Sequence, residues 1–147
     1  MHLITSSLFL SPMLPYLSQN SQVILLRGYF ASTIEWSITY GVPGLDIQGF
    51  LNHTSHLSSE ARVPNPFLDI VQSATTHPND RMSKIQYGFA YFSLVYSARP
   101  KGYFKDTELQ GAEALDEWLS LKAARLTEEY MSEVTTSWSQ EGFPARD

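Results

Sequence analysis

The feature that most constrains the fold is a long apolar segment that begins near Ser21 and repeats with helical spacing. Large apolar side chains recur every four residues, at Leu26, Phe30, Ile34 and Ile38. Ser21 is of a type that caps helix N-termini, and Gly41 and Pro43 are of types that end helices. The aromatic residues Tyr29, Trp36 and Tyr40 widen the apolar surface. A helix that is apolar nearly all round normally lies inside a larger helical protein, so we predict that this helix is buried.

The rest of the chain also has helical patterns. Residues 41–64 are rich in turn-forming types and leave room for one short helix. Asn65 and Pro66 are typical of a helix start, and this helix should stop near Thr76 because Pro78 disfavours helical geometry in the residue before it. Two further helices are predicted, from Pro78 to Ser97 and from Leu115 to Trp138.

No segment alternates with period two for long enough to predict a sheet, so the expected class is all-α. We expect an orthogonal or irregular bundle of about four to five helices. With 147 residues the chain suits one domain, residues 1–147, which would be part of a larger helical domain.

Charge and composition exclude several classes of function. The net charge is -5 and the basic residues are scattered, which argues against nucleic acid as a partner. The absence of cysteine excludes disulfides, thiolate zinc sites and a cysteine nucleophile, and it fits a cytoplasmic protein. Arg27 and Glu35 interrupt the long apolar segment, so we expect no membrane span.

Any metal site would depend on the four histidines, His2, His53, His56 and His77. His53 and His56 lie in a loop-like segment where exposure to solvent explains them. His77 stands at the start of the helix predicted from Pro78, and Lys84 follows seven residues later, so both could face one wall of a pocket. His2 directly leads an apolar segment, although a terminal histidine is most simply part of a disordered end.

Two interpretations of Lys84 stay open. A buried lysine can react with carbon dioxide to form a carbamate, which would supply an oxygen ligand to a metal. Alternatively, Lys84 extends into solvent from a polar helix start at which Asp80 offsets the helix dipole. Spacing alone favours the second interpretation.

Four segments in order suggest a family: "HLITSSLFLSPMLPYLSQNSQVILLRGYF", "YGVPGL", "NPFLDIVQSATTHPNDRMSK" and "LQGAEALDEWLSLKAARL". Together they resemble the C-terminal part of the questin oxidase-like family of fungal secondary metabolism. The resemblance implies an all-helical oxidoreductase that opens anthraquinone rings by oxygen-dependent or Baeyer–Villiger-type oxidation. It also implies an aromatic polyketide as substrate, with non-haem iron and NADPH as cofactors.

The resemblance implies His2, His77 and Lys84 as metal ligands, since they match the family's "HLIT" histidine and the two ends of its His-Pro-x-x-His-Leu-x-Lys stretch. Arg81 stands where that stretch has its second histidine, and an arginine cannot ligate a metal. Family members also extend further on the N-terminal side, so an exposed apolar face is expected here.

Three hypotheses follow for the function. In the first, the chain is related to an oxidase and is either a truncated gene product, which would be inactive, or a fragment of a longer enzyme. Alternatively, it is a non-catalytic helical remnant that binds an aromatic small molecule or a partner protein, either as an oligomer or with a missing N-terminal half. The third hypothesis is a helical bundle whose activity is of another kind.

Overall fold

A computed structural model describes residues 2–39, 41, 44–54, 64–96 and 99–133 of the chain. Within these ranges every regular element is an α-helix or a short 3-10 helix, and there is no strand. The all-α prediction is therefore confirmed. The described chain divides into two compact units, the first ending at Leu45 and the second beginning at Asp46. A single domain over residues 1–147 stays a prediction, and each unit is described by itself.

The described part of the first unit contains three α-helices: α1 (His2–Ser7), α2 (Leu10–Met13) and α3 (Gln19–Thr39). A 3-10 helix, Leu14–Tyr16, follows α2 and has a proline in its first turn, where the missing N–H is not needed. The Gln22 side chain donates hydrogen bonds to the carbonyls of Leu14 and Leu17, at 2.9 and 3.1 Å. This side chain holds the turn against the start of α3.

The start of α3 differs from the prediction. Ser18, not Ser21, is the capping residue, because the Ser18 hydroxyl accepts a hydrogen bond from the Ser21 N–H at 3.3 Å. The Ser18 carbonyl accepts the Gln22 N–H at 2.9 Å. Several polar residues precede the apolar pattern, and the sequence alone does not show which of them caps the helix. The hydrogen bonds of Ser18 identify it as the capping residue.

The predicted burial of α3 is wrong for the described chain, because none of its residues is buried. Ile24, Phe30 and Ile38 are 63 to 65% exposed. The other helices among the described residues of the first unit are α1, α2 and the 3-10 helix, which have six, four and three residues and are too short to cover a helix of 21. The expected exposed apolar face is thus present on α3.

The second unit contains α4 (Ile47–His53), α5 (Leu68–Thr76), α6 (Arg81–Tyr96) and α7 (Leu119–Glu133). A 3-10 helix, Ala112–Ala114, precedes α7. One core cluster joins Ile70 of α5 to Leu121 and Ala124 of α7, with Phe67, Phe89 and Trp118 packed against it. A second cluster joins Ile47 of α4 to Ala112 and Leu115.

Two helices of the second unit begin later than predicted because a polar side chain caps each of them. Asn79 Oδ1 accepts the Arg81 N–H at 3.0 Å, so α6 begins at Arg81 and not at Pro78. Asp116 Oδ1 accepts the Trp118 N–H at 3.0 Å, which places the start of α7 after Leu115. The predictions for Tyr40, His56, Ser97 and Trp138 lie outside the described residues.

The described helices include none that is both long and apolar enough to span a membrane. Arg27 and Glu35 interrupt the longest of them, as the sequence indicated.

Candidate functional site

His77 ends α5 in an extended backbone conformation, with φ -68° and ψ 135°. Its Nδ1 accepts a hydrogen bond from the Asn79 N–H at 3.0 Å. In a neutral imidazole this leaves the proton on Nε2, so neither ring nitrogen has a lone pair to offer a metal. Metal binding by His77 would therefore require the hydrogen bond with Asn79 to break.

Lys84 lies in the first turns of α6 with its side chain 62% exposed. Its Nζ donates to Asp80 Oδ2 at 3.4 Å, an exposed ion pair of the kind that adds little stability. This is the arrangement of the second interpretation, in which Lys84 is a solvated residue at a polar helix start. Because α6 begins only at Arg81, Lys84 does not stand two helical turns beyond His77 as expected.

His2 is the first residue of α1, and its side chain lies outside the described residues. His2 belongs to the first unit and His77 and Lys84 to the second. Convergence of these three side chains on a metal therefore stays a prediction. In the ranges that the structure describes, no group of three or more His, Asp or Glu residues is placed to hold a metal ion.

His53 has a role that the sequence did not indicate. Its Nε2 lies 3.4 Å from Glu129 Oε2, so α4 meets α7 through a pair that is an ion pair only when the histidine is protonated. Both side chains are about half exposed, at 53% and 49%. The two residues are 76 positions apart, and no local sequence signal could have paired them.

Charged side chains also join α5 to α7. Arg125 donates to Asp69 at 2.6 Å and to Glu128 at 3.1 Å. Partial burial raises the pKa of the Asp69 carboxyl, but the hydrogen bond and positive charge of Arg125 outweigh this, and the pKa is lowered overall. The arrangement is best explained as structural, because it links two packed helices.

A hollow of about 320 Å³ in the second unit lies beside the start of α7 and is lined by residues that include Tyr96, Arg99, Phe104 and Asp116. The carboxylate of Asp116 in this lining is paired: Lys122 Nζ, from a buried side chain of α7, donates to Oδ1 and Oδ2 of Asp116 at 3.3 and 3.1 Å. Since Asp116 also caps α7, this pair holds the helix start in place.

The larger hollow, about 560 Å³, lies between α1 and α3 in the first unit. Residues at intervals of three and four along α3 form one wall, because such residues share a helix face. The ten lining residues are apolar, aromatic or hydroxyl-bearing: Leu3, Thr5, Ser6, Phe9, Leu25, Gly28, Tyr29, Ser32, Thr33 and Trp36.

Two hydroxyl groups of this hollow have their protons directed to the backbone. Tyr29 Oη donates to the Leu3 carbonyl at 2.6 Å and thereby ties α3 to α1. Thr33 Oγ1 donates to the Tyr29 carbonyl at 2.9 Å. Each oxygen keeps lone pairs, so both can accept a hydrogen bond from a ligand.

Gly28 contributes backbone but no side chain to the wall of the hollow. A Cβ atom added at this position would meet no other atom within 4 Å. Glycine is unfavourable in the middle of a helix, so its presence here needs an explanation other than helix formation. Larger side chains at this position would project into unfilled space.

The hollow suits an uncharged aromatic molecule. Its lining contains no Asp, Glu, Lys, Arg or His among the described residues. Phe9, Tyr29 and Trp36 supply aromatic rings that stack on or pack edge-on against another ring. The volume lies within the roughly 300–1,000 Å³ typical of small-molecule sites, and the hollow is an open groove, since Phe9 and Trp36 are 64 and 41% exposed. The sequence showed the aromatic residues of α3, but only the packing of α1 revealed that they line one hollow.

Part of the chain matches a known protein family. The family model described as Questin oxidase-like matches residues 1–89, which is 89 of 147 residues and includes α1, α2 and α3. Comparisons with curated proteins and with solved structures found no match.

Proposed function

Because this chain belongs to the questin oxidase-like family, we propose that it takes part in the oxidation of an aromatic polyketide. The family match is the observation that carries the proposal. We further propose that the hollow between α1 and α3 binds the aromatic molecule, since this hollow lies within the matched residues.

The chemistry of the hollow supports a neutral, planar, hydroxylated aromatic ring system such as an anthraquinone. The phenolic hydroxyl groups of such a ligand would donate to Tyr29 Oη and Thr33 Oγ1, because the protons of these two protein hydroxyls are directed to backbone carbonyls. Its rings would pack against the indole of Trp36 and the ring of Phe9. An anionic ligand would find no cationic side chain among the lining residues, so we expect anions to bind weakly.

The chemical step proposed from the family is insertion of oxygen next to a ring carbonyl to give a cyclic ester, followed by addition of water, which breaks the acyl–oxygen bond and opens the ring to a carboxylic acid and a hydroxyl group. One atom of molecular oxygen would enter the product and the other would leave as water, with two electrons supplied by NADPH. Non-haem iron held by His2, His77 and Lys84 stays a prediction. The described side chains of His77 and Lys84 do not fit an iron site in this arrangement, so no step is assigned to the metal.

Ligand binding can be tested through the fluorescence of Trp36, which lines the hollow. Titration with a polyhydroxylated anthraquinone should quench tryptophan emission in the wild-type chain. Gly28→Leu should weaken binding at least about tenfold, because the new side chain would occupy part of the hollow. A tenfold weaker affinity corresponds to a loss of about 1.4 kcal/mol of binding free energy. Gly28→Ala is the matched control and should bind within about twofold of wild type.

Equal affinity for the wild type and Gly28→Leu would refute the assignment of the ligand to this hollow. Phe104→Leu in the second unit is a further control, because it alters the smaller hollow and should leave the affinity unchanged. Oxidation itself is tested by product analysis after incubation with oxygen, NADPH and ferrous iron.

A second candidate function is binding without catalysis, to an aromatic small molecule or a partner protein. The observations that favour it are Arg81 at the position of the family's second histidine, the hydrogen bond that His77 Nδ1 accepts, and the exposed ion pair of Lys84. Wild-type binding with no oxidised product, whether or not iron is supplied, would select this candidate. A cytoplasmic location remains a prediction in either case.

A further inference from the structure

The side of α3 that faces away from the hollow is mostly apolar, and no other described helix of the first unit covers it. Arg27 stands nine residues before Trp36, about two and a half turns, so the two residues lie on opposite sides of the helix. We define the outer face of α3 as the residues that surround Arg27 on the helix surface: Val23, Ile24, Arg27, Phe30, Ala31, Ile34, Glu35 and Ile38.

The large apolar residues of the outer face are extensively exposed. Ile24, Phe30 and Ile38 are 63 to 65% exposed, and Val23 and Ile34 are 41 and 43% exposed. A contiguous apolar surface of this kind is rare on a monomeric protein and normally marks an interaction site. Tyr29 and Trp36 occupy the opposite side of α3, so the outer face cannot be explained as the lining of the hollow.

Two opposite charges stand symmetrically on this face. Arg27 lies four residues before Ala31 and Glu35 lies four residues after it. If two copies of α3 pack antiparallel about Ala31, Arg27 of each copy is level with Glu35 of the other, and Ile24 is level with Ile38. Arg27 and Glu35 each lie four residues from Ala31, so each Arg27–Glu35 pair is about 6 Å along the helix axis from the point where the two helices cross. A parallel pair would instead place like charges opposite each other.

We infer that the outer face of α3 binds the same face of a second copy of this chain in an antiparallel, twofold-symmetric pair. Such a symmetric contact uses one self-complementary patch, and Arg27 with Glu35 makes the patch self-complementary in charge. Ala31 at the crossing point has a small side chain, which lets the two helix backbones approach closely. This inference does not depend on the proposed oxidation or on the hollow.

Sedimentation velocity over about 1–100 µM protein tests the inference, a range suited to a contact between two single helices. The wild-type chain should change from monomer to dimer over this range. Arg27→Glu and Glu35→Arg should each weaken dimerisation at least about tenfold, because each places like charges opposite each other. The double variant Arg27→Glu, Glu35→Arg should restore it, since the charges are again opposite.

Lys105→Glu is the matched control, an exposed charge reversal in the second unit that should leave dimerisation unchanged. A wild-type chain that stays monomeric at every concentration would overturn the inference. This holds also if hydrogen exchange in α3 of that monomer is slow, since slow exchange would mean that another segment of the chain covers the outer face. Single variants that dimerise like wild type, or a double variant that fails to recover, would also overturn it. Binding of a different protein to the face of a monomeric chain would do the same.

Discussion

The ion pair between Asp116 and Lys122 should respond very differently to the loss of each partner. Lys122 is 7% exposed, and its ammonium group donates to both carboxylate oxygens of Asp116. The Asp116 side chain is 26% exposed and also accepts the Trp118 N–H at the start of α7. Removing the carboxylate therefore costs a helix cap and leaves a buried cation without its partner.

The magnitude follows from these two contributions. Loss of an N-cap costs about 1 kcal/mol. Breaking a fully buried pair costs about 3–5 kcal/mol, and we expect about 2 kcal/mol here because Asp116 is partly in contact with water. Asp116→Ala should thus lower the free energy of unfolding by about 3 kcal/mol. Lys122→Met should lower it by no more than about 1 kcal/mol, because methionine fills similar space and water can solvate the remaining carboxylate.

Urea unfolding followed by far-UV circular dichroism measures both values, and equal m-values would show that the extent of unfolding is unchanged. Asp116→Asn is an informative control because its side-chain oxygen can still cap α7 while the negative charge is lost. The double variant Asp116→Ala, Lys122→Met should cost less than the sum of the single variants, since it leaves no unpaired charge. A Lys122→Met variant as unstable as Asp116→Ala would refute this account.

Three further predictions concern other parts of the chain. Gly28→Ala should raise the free energy of unfolding of the first unit by about 0.5–1 kcal/mol, because alanine favours the helix and its Cβ meets open space; calorimetry measures the shift. Gln86 is fully buried; its Nε2 donates to the Ala124 carbonyl at 2.9 Å, while its Oε1 has no hydrogen-bond partner in the described ranges. Gln86→Met loses that bond but also removes the unpaired oxygen, so it should cost about 1 kcal/mol, whereas Gln86→Glu should cost about 3 kcal/mol or more by urea unfolding. Because the folded-state pKa of Asp69 is lowered, its contribution to stability is present above the unfolded-state pKa of about 4 and is lost as pH falls through the folded-state value. Asp69→Asn should therefore reduce the acid sensitivity of unfolding in a pH titration.

Helix type was predictable where apolar residues repeat over many turns. The segment that forms α3 and the segment that forms α7 both show this spacing, and both are helices. Helix ends were not predictable to the residue, because several polar side chains near each end are able to cap. Ser18, Asn79 and Asp116 were selected by hydrogen bonds that depend on local backbone geometry.

The candidate site was only partly accessible to sequence reasoning. The family resemblance drew attention to His77 and Lys84, but sequence spacing could not reveal the hydrogen bond from Asn79 to the His77 ring or the pairing of Lys84 with Asp80. The contact between His53 and Glu129 joins residues that are far apart in the chain. Such contacts arise only when helices pack.

The sequence by itself determined that the chain is helical and that one helix is apolar nearly all round, because periodicity is a property of neighbouring residues. Its motifs also carried the likeness to the questin oxidase-like family. The tertiary structure alone decided which side of α3 meets α1 and lines a hollow, and which side is left exposed. The physical reason is that α3 is apolar on both sides, so its own pattern could not select the side that α1 covers.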